Sequence, residues 1–225
     1  GGMHLIGSVD RPDEGPPHLV ELSPYLIDRH EGTCEQYARF IAASGHRSPG
    51  GWGGQVPPTE WLELPVTGVS WNDAMAFAAW MSERTGLHFT LPTEAQWEKA
   101  ARGTDGRKYP WGNSEPTADR CVWSGHPTWG DKSTAPVGSV RAGVSPYGAH
   151  DMAGNVWEWC ADIFGGGYDV EDPQQVTVDP TGPKTAKATE GRVLRGGSCF
   201  THPPPRPSDR SADEPTSGSP FYGLR

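Results

Sequence analysis

Apolar residues recur along the chain at two spacings, and each spacing predicts a different element. From His18 to Asp28 the apolar positions Leu19, Val20, Leu22, Tyr25, Leu26 and Ile27 fit an edge strand, broken at Pro24, which has no N–H for a ladder. Thr33 and Gln36 then stand at the spacing of a reciprocal helix cap, Tyr37, Phe40 and Ile41 share one face, and Gly45 lies beyond the end. A second helix is predicted from an N-cap near Asn72, with Met75, Ala78, Ala79 and Trp80 as its apolar stripe and a stop at Gly86. After a short strand from Leu87 to Leu91, Thr93 and Gln96 repeat the capping pattern ahead of Trp97, Ala100 and Ala101, and Gly103 closes this third helix. Beyond Gly103 no stretch keeps a helical period. Short strands are expected at Trp157 to Asp162 and Arg192 to Arg195, with loops from Phe164 to Gly191 between them and no internal repeat.

Composition agrees with few, short elements. In 225 residues there are 30 Gly, 23 Pro and ten Trp against 34% hydrophobic residues, which describes turns pinned by large aromatic rings, and the length allows a single domain over residues 1–225. A net charge of -9 excludes nucleic acid or an anionic membrane as the main partner, since either would be repelled. No run approaches the roughly 18 apolar residues of a membrane span, so no membrane insertion is expected. The opening GGMHLIGSVD lacks the basic region and apolar run of a signal peptide, and the compartment is left open. Cys34, Cys121, Cys160 and Cys199 are too scattered for a CxxC zinc site and read as buried thiols, with a Cys160–Cys199 disulfide as the alternative.

Six phrases carry a more specific signal: PVTGVSWNDAMAFAAWM from Pro65, LPTEAQWEKAARG from Leu91, YPWGN from Tyr109, APVGS from Ala135, SPYGAHDMAGNVWEW from Ser145 and RVLRGGS from Arg192. In that order they resemble the formylglycine-generating-enzyme or sulfatase-modifying-factor family, and the closing Gly-Leu-Arg is similar to that family's terminal Gly-Phe-Arg. The resemblance covers nearly the whole chain. It implies an α+β, C-type lectin fold of the formylglycine-generating-enzyme type, with few short helices, short antiparallel strands and much irregular loop. That fold serves oxidases, sulfoxide synthases, regulatory domains fused to kinases, and the variable proteins of diversity-generating retroelements, so function must be read from the site.

In the oxidases two cysteines after Gly-Gly-Ser bind copper, and a soft thiolate pair is what Cu(I) requires. Counted from Gly196-Gly197-Ser198, those positions fall at Thr201 and near Arg206. No copper is therefore expected, and no catalytic residue is assigned. Cys199 and His202 have Cys-x-x-His spacing, but one thiolate and one imidazole fall short of a zinc ligand set. The sulfoxide synthases bring iron-binding histidines on an additional helical domain that this chain lacks.

Asp151 and Glu158 flank a glycine turn, an arrangement of hard oxygen donors that suits Ca²⁺. The resemblance implies Asp151 and Glu158 as side-chain ligands with the carbonyls of Gly154 and Val156; alternatively both carboxylates cap amides or pair with arginines. From Cys199 to Tyr222 the chain, rich in Pro, Ser and Gly, is expected as exposed loop. In the retroelement variable proteins this region is diversified at codons that cannot become Lys, Glu, Gln, Met or Trp. Those types fill 37 of the first 195 positions, whereas the segment from Gly196 holds only Glu214. The implied ligand surface comprises Cys199, Phe200, Thr201, His202, Pro204, Asp209, Ser211, Asp213, Ser217, Ser219, Phe221 and Tyr222, facing a protein or other macromolecular partner. Arg206 and Arg210 read as anchors of this segment to the scaffold.

Overall fold

A computed structural model of the chain describes residues 1–166, 168, 170, 172–183 and 190–225. Capping chemistry fixes where its helices begin. Helix α1 (Cys34–Ser44) opens on the expected pair: the Gln36 amide donates to Thr33 Oγ1 at 3.2 Å and the Thr33 amide to Gln36 Oε1 at 2.9 Å. It ends at Gly45, whose φ of 72° is open to glycine without strain. Helix α2 (Trp71–Thr85) is capped by Ser70 rather than Asn72. Ser70 Oγ accepts from the Asp73 amide at 3.2 Å while Asp73 accepts from the Ser70 amide at 2.9 Å, a reciprocal cap that Asn72 has no partner to form. Helix α3 (Glu94–Arg102) opens on Thr93 and Gln96 as read from the sequence.

Among the described residues there are seven short strands: β1 (Gly2–Ile6), β2 (His18–Leu22), β3 (Trp157–Ile163), β4 (Thr177–Val178), β5 (Arg192–Arg195), β6 (Arg210–Asp213) and β7 (Tyr222–Gly223). They make two sheets, ordered β1-β2-β4 and β6-β5-β3-β7. Most pairings are antiparallel, but β4 runs parallel to β2 and β7 parallel to β3. The strand expected past Pro24 does not form. The Ser23 amide turns to Asp179 Oδ1 at 2.8 Å and Pro24 has no N–H, so the ladder stops at Leu22. Leu87 to Leu91 also stays out of any sheet, because the Leu87 and Phe89 amides donate to Thr85 Oγ1 and Ser82 Oγ at the end of α2. Of the loop between Phe164 and Gly191, residues 167, 169, 171 and 184–189 lie outside the described residues.

The C-terminal segment departs most from expectation. Instead of exposed loop throughout, it supplies β6 and β7, and Cys199, Pro205 and residues 207–210 are buried. Charge explains this. Every residue of α3 except Gln96 is buried, including Glu94, Glu98, Lys99 and Arg102. Arg195 of β5, with no exposed surface, donates to Glu94 Oε1 at 2.9 Å, to Glu98 Oε2, and to the Pro207 carbonyl at 2.6 Å. Arg210 of β6 grips Glu94 through both carboxylate oxygens at 2.6 and 2.8 Å. Burial alone would raise the Glu98 carboxyl, but the guanidinium groups of Arg195 and Arg102 outweigh it and hold Glu98 below the usual range. The aromatic core of Tyr37, Phe40, Phe77 and Trp159 joins α1, α2 and β3.

Removing one partner of such a network strands the others. Arg195→Met should lower the unfolding free energy by about 3–5 kcal/mol in urea titration, because buried Glu94 and Glu98 each lose one of their two guanidinium partners. Adding Glu98→Gln to that variant should recover part of the loss, whereas additive losses would show that the pairing contributes nothing.

Candidate functional site

The C-terminal face is built from a backbone fixed at short intervals. Gly196 and Gly197 take φ of 93° and 74°, and a Cβ on Gly197 would sit 2.3 Å from Pro205 Cβ, so only glycine passes this point. Thr201 closes the next turn: its amide donates to the Ser198 carbonyl at 3.0 Å and its Oγ1 accepts from the Ser198 amide at 2.8 Å. Arg206 donates to Glu14 at 2.5 Å, to Asp209 at 2.8 Å and to Asp10, and Arg210 donates to the Asp13 carbonyl at 2.5 Å. Both arginines thus anchor the segment to the first strand connection, as the sequence suggested. Further on, Tyr222 packs edge-on against Trp159 with ring centres 5.3 Å apart, and its hydroxyl donates to Asp213 Oδ2 at 3.1 Å.

On this frame the expected surface residues divide into three groups. Phe200, 42% exposed, and His202 face solvent, and the Phe200 ring lies 4.6 Å from that of half-buried Phe221. Thr201, Pro204, Ser211, Asp213, Ser217, Ser219 and Tyr222 are half-buried, with Ser211 inside β6 opposite Leu194. Cys199 and Asp209 do not belong to the surface. Cys199 packs against Val122, Ala135 and Val140, and burial pushes its thiol up to about 12. Asp209 is 5% exposed because Arg206 draws it inward. All four cysteines are buried free thiols, so Cys160 and Cys199 are not bridged.

One neighbour of this face escaped the sequence reading. The Ser124 amide donates to the Thr201 carbonyl at 3.2 Å, bringing Trp123, His126 and Trp129 beside the turn. His126 Nε2 contacts the Ala118 carbonyl at 2.8 Å and its Nδ1 accepts from the Thr128 and Trp129 amides at 3.1 Å, which fixes the Nε2–H tautomer. Its ring lies 4.8 Å from that of Trp129, tilted by 31°. Two tryptophans and a histidine in a short Gly-Pro stretch were the available signal.

The residues present do not fit copper. Thr201 Oγ1 is spent on the Ser198 amide, Arg206 is ion-paired, and the one nearby thiol is buried and held protonated. The candidate calcium loop is more nuanced. Glu158 accepts from Arg225 at 2.9 and 2.7 Å and from Trp97 Nε1 at 2.7 Å, and Asp151 Oδ2 accepts from the Gly138 amide at 2.6 Å. Fully buried Glu31, held by Asn155, faces both carboxylates. Burial first, then Asp151 and Glu158, raises Glu31 well above the carboxylate range, and burial likewise raises Asp151 despite the Gly138 amide. With Arg225 committed to Glu158, the buried carboxyls of Glu31 and Asp151 have no salt-bridge partner among the described residues. Among the described residues, however, no three His, Cys, Asp or Glu side chains are grouped to hold an ion. Of the two expected side-chain ligands, Glu158 would have to share itself with Arg225.

The family model of the sulfatase-modifying factor enzyme 1-like domain matches residues 1–225. The formylglycine-generating enzyme of Thermomonospora curvata is 35% identical, over 100% of this chain and 90% of its own. The inactive C-alpha-formylglycine-generating enzyme 2 of Mus musculus is 30% identical, over 100% of this chain and 82% of that protein. Among solved structures, Treponema denticola variable protein 1 superposes with a TM-score of 0.77 at 25% identity, covering 98% of this chain and 89% of the other.

Proposed function

The chain belongs to the sulfatase-modifying factor enzyme 1-like family, and from that premise we propose that it is a non-enzymatic binding protein presenting a variable C-terminal surface to a protein or other macromolecular ligand. One observation carries this reading. The segment that would hold the catalytic thiols instead offers Phe200 and His202 outward, with half-buried Phe221 beside Phe200, on a backbone pinned by arginines. Aromatic rings on a preorganised loop give contact area at low ordering cost, and Thr201, Ser217 and Ser219 add adaptable hydrogen bonding. The likeness to Treponema denticola variable protein 1 supports the same reading.

A display surface must tolerate exchange of its outward side chains. The double variant Phe200→Ala, His202→Ala should stay within about 1 kcal/mol of the parent in denaturant, since exposed substitutions are usually near neutral. At the genome, related loci should show a template repeat and a reverse transcriptase beside the gene, with differences concentrated between Cys199 and Tyr222. An invariant segment with no repeat would overturn the proposal.

The identity to formylglycine-generating enzymes favours a second reading, a copper oxidase acting on a peptide cysteine. Cys199 would then have to serve as a lone thiolate. Titration with Cu(I) and a Cys-x-Pro-x-Arg peptide is expected to give neither metal binding nor aldehyde; either product would reinstate the oxidase.

We also propose that Ca²⁺ binds at Asp151, Gly154, Val156 and Glu158, supported by the buried carboxyls of Glu31 and Asp151, which have no salt-bridge partner among the described residues. Without the ion, Glu31 and Asp151 have raised folded pKa values, so ionising them as pH rises costs stability. EDTA should therefore lower the melting temperature at pH 7.5 and have a smaller effect at pH 5, where protons compete better with the ion for these two carboxyls. An equal melting temperature with and without chelator at both pH values would remove calcium.

A further inference from the structure

Two hydrogen bonds bring three separate stretches of chain together. The His150 amide donates to the Arg29 carbonyl at 2.9 Å, and the Gly138 amide donates to Asp151 Oδ2 at 2.6 Å, so residues 29–30, 138–141 and 150 are neighbours. The ring centres of His30 and His150 lie 5.0 Å apart. A Cβ on Gly138, whose φ is 72°, would sit 2.8 Å from His30 Nε2 and 3.8 Å from His150 Nδ1, so both ring nitrogens face the strip of main chain that leads to Arg141.

This corner carries positive charge that the rest of the protein does not answer. In a chain of net charge -9, every other arginine is held by a carboxylate, a carbonyl or an aromatic ring. Exposed Arg29 and Arg141 have no hydrogen-bond, ion-pair or ring partner among the described residues. Asp28 makes no ion pair with either, and Asp151 is turned to the Gly138 amide. His150 is only 7% exposed, yet its Nδ1 has no hydrogen-bond partner among the described residues, where a buried polar atom is normally bonded. Burial, and after it the charges of Arg29, Arg225 and Arg141, hold the His150 pKa below its ordinary value, so the field of both free arginines reaches this ring. Arg225 is spent on Glu158, whereas the other two remain available.

We propose that Arg29, Arg141, His30 and His150 form a binding site for a small phosphate-type oxyanion. Guanidinium forks present paired donors that match the oxygens of such an anion, and an imidazole whose tautomer no partner fixes is free to carry its proton on the nitrogen that faces it. An apolar or cationic ligand would leave both arginines unanswered. The site shares no residue with the C-terminal face or with the calcium donors, so it stands or falls apart from both.

The test titrates inorganic phosphate and, separately, glycerol 2-phosphate into the intact protein by calorimetry, in metal-free Tris chloride without chelator, so that neither calcium nor a competing carboxylate is present. Saturable binding of at least one is expected, and the tighter of the two tells whether the site takes the free anion or the end group of a phosphomonoester. The double variant Arg29→Gln, Arg141→Gln, changed only at exposed positions, should bind about tenfold more weakly or worse at an unchanged circular-dichroism spectrum. Should it misfold, Arg141→Gln alone should show a several-fold loss. Arg84→Gln removes an exposed charge that rests on Trp80 of α2, outside this corner, and should leave the affinity unchanged. In NMR spectra the ring signals of His30 and His150 should move with the same midpoint as the heat. No saturable binding of either anion, undiminished binding to the folded variants, an equal loss in Arg84→Gln, or histidine signals indifferent to phosphate would overturn the proposal.

Discussion

Arg195 is the cation around which two halves of the chain are assembled. It stands in β5 with no exposed surface, yet its guanidinium joins both carboxylates of α3 and the carbonyls of Pro207 and Ser208. A buried ion pair gains little over a well-packed apolar core, since desolvation offsets most of the attraction. What it does provide is direction. An apolar α3 could rotate or slide against the sheet, whereas Glu94 and Glu98 set one turn apart accept only one placement of Arg195 and Arg210. The same contacts carry the segment after Gly197 back onto the scaffold.

The consequence for function lies in what is left free. Main-chain and arginine contacts consume the inward groups of the C-terminal segment, and the outward ones, Phe200 and His202 above all, have no structural duty. Relatives named as formylglycine-generating enzymes and a relative named as inactive share the family with this chain. Here Thr201 and Arg206 stand where the resemblance places the thiol pair, and they hold the frame through a hydrogen bond and ion pairs.

Features set by neighbouring residues were legible in the sequence. The caps at Thr33–Gln36 and Thr93–Gln96 announced α1 and α3 because both partners lie within one helical turn, and the strands β3 and β5 read clearly from their apolar runs. The Ser70–Asp73 cap was missed because Asn72, a good cap by type, stood closer to the apolar stripe. The strand β6 was illegible for a different reason: Arg-Ser-Ala-Asp has no apolar alternation, and its placement comes from a bond between Arg210 and Glu94, far apart in sequence. Long-range charge pairing also hid the inward turn of Asp209. The loop bearing Trp123, His126 and Trp129 escaped because its tie to Thr201 is a backbone bond that side-chain identity does not report.

That tie is one of several along the C-terminal segment, and together they limit how such a surface can evolve. The Cys199 amide is bound to the Asn155 carbonyl, Thr201 to Ser124, Pro215 to Asn72, Ser219 to Gly68 and Phe221 to Trp157, each through the main chain. An inserted or deleted residue would throw the next tie out of phase, whereas exchanging a side chain leaves all of them intact. Immunoglobulin loops diversify in length as well as in composition; a segment laced to its scaffold in this way can vary its alphabet but has to keep its letter count.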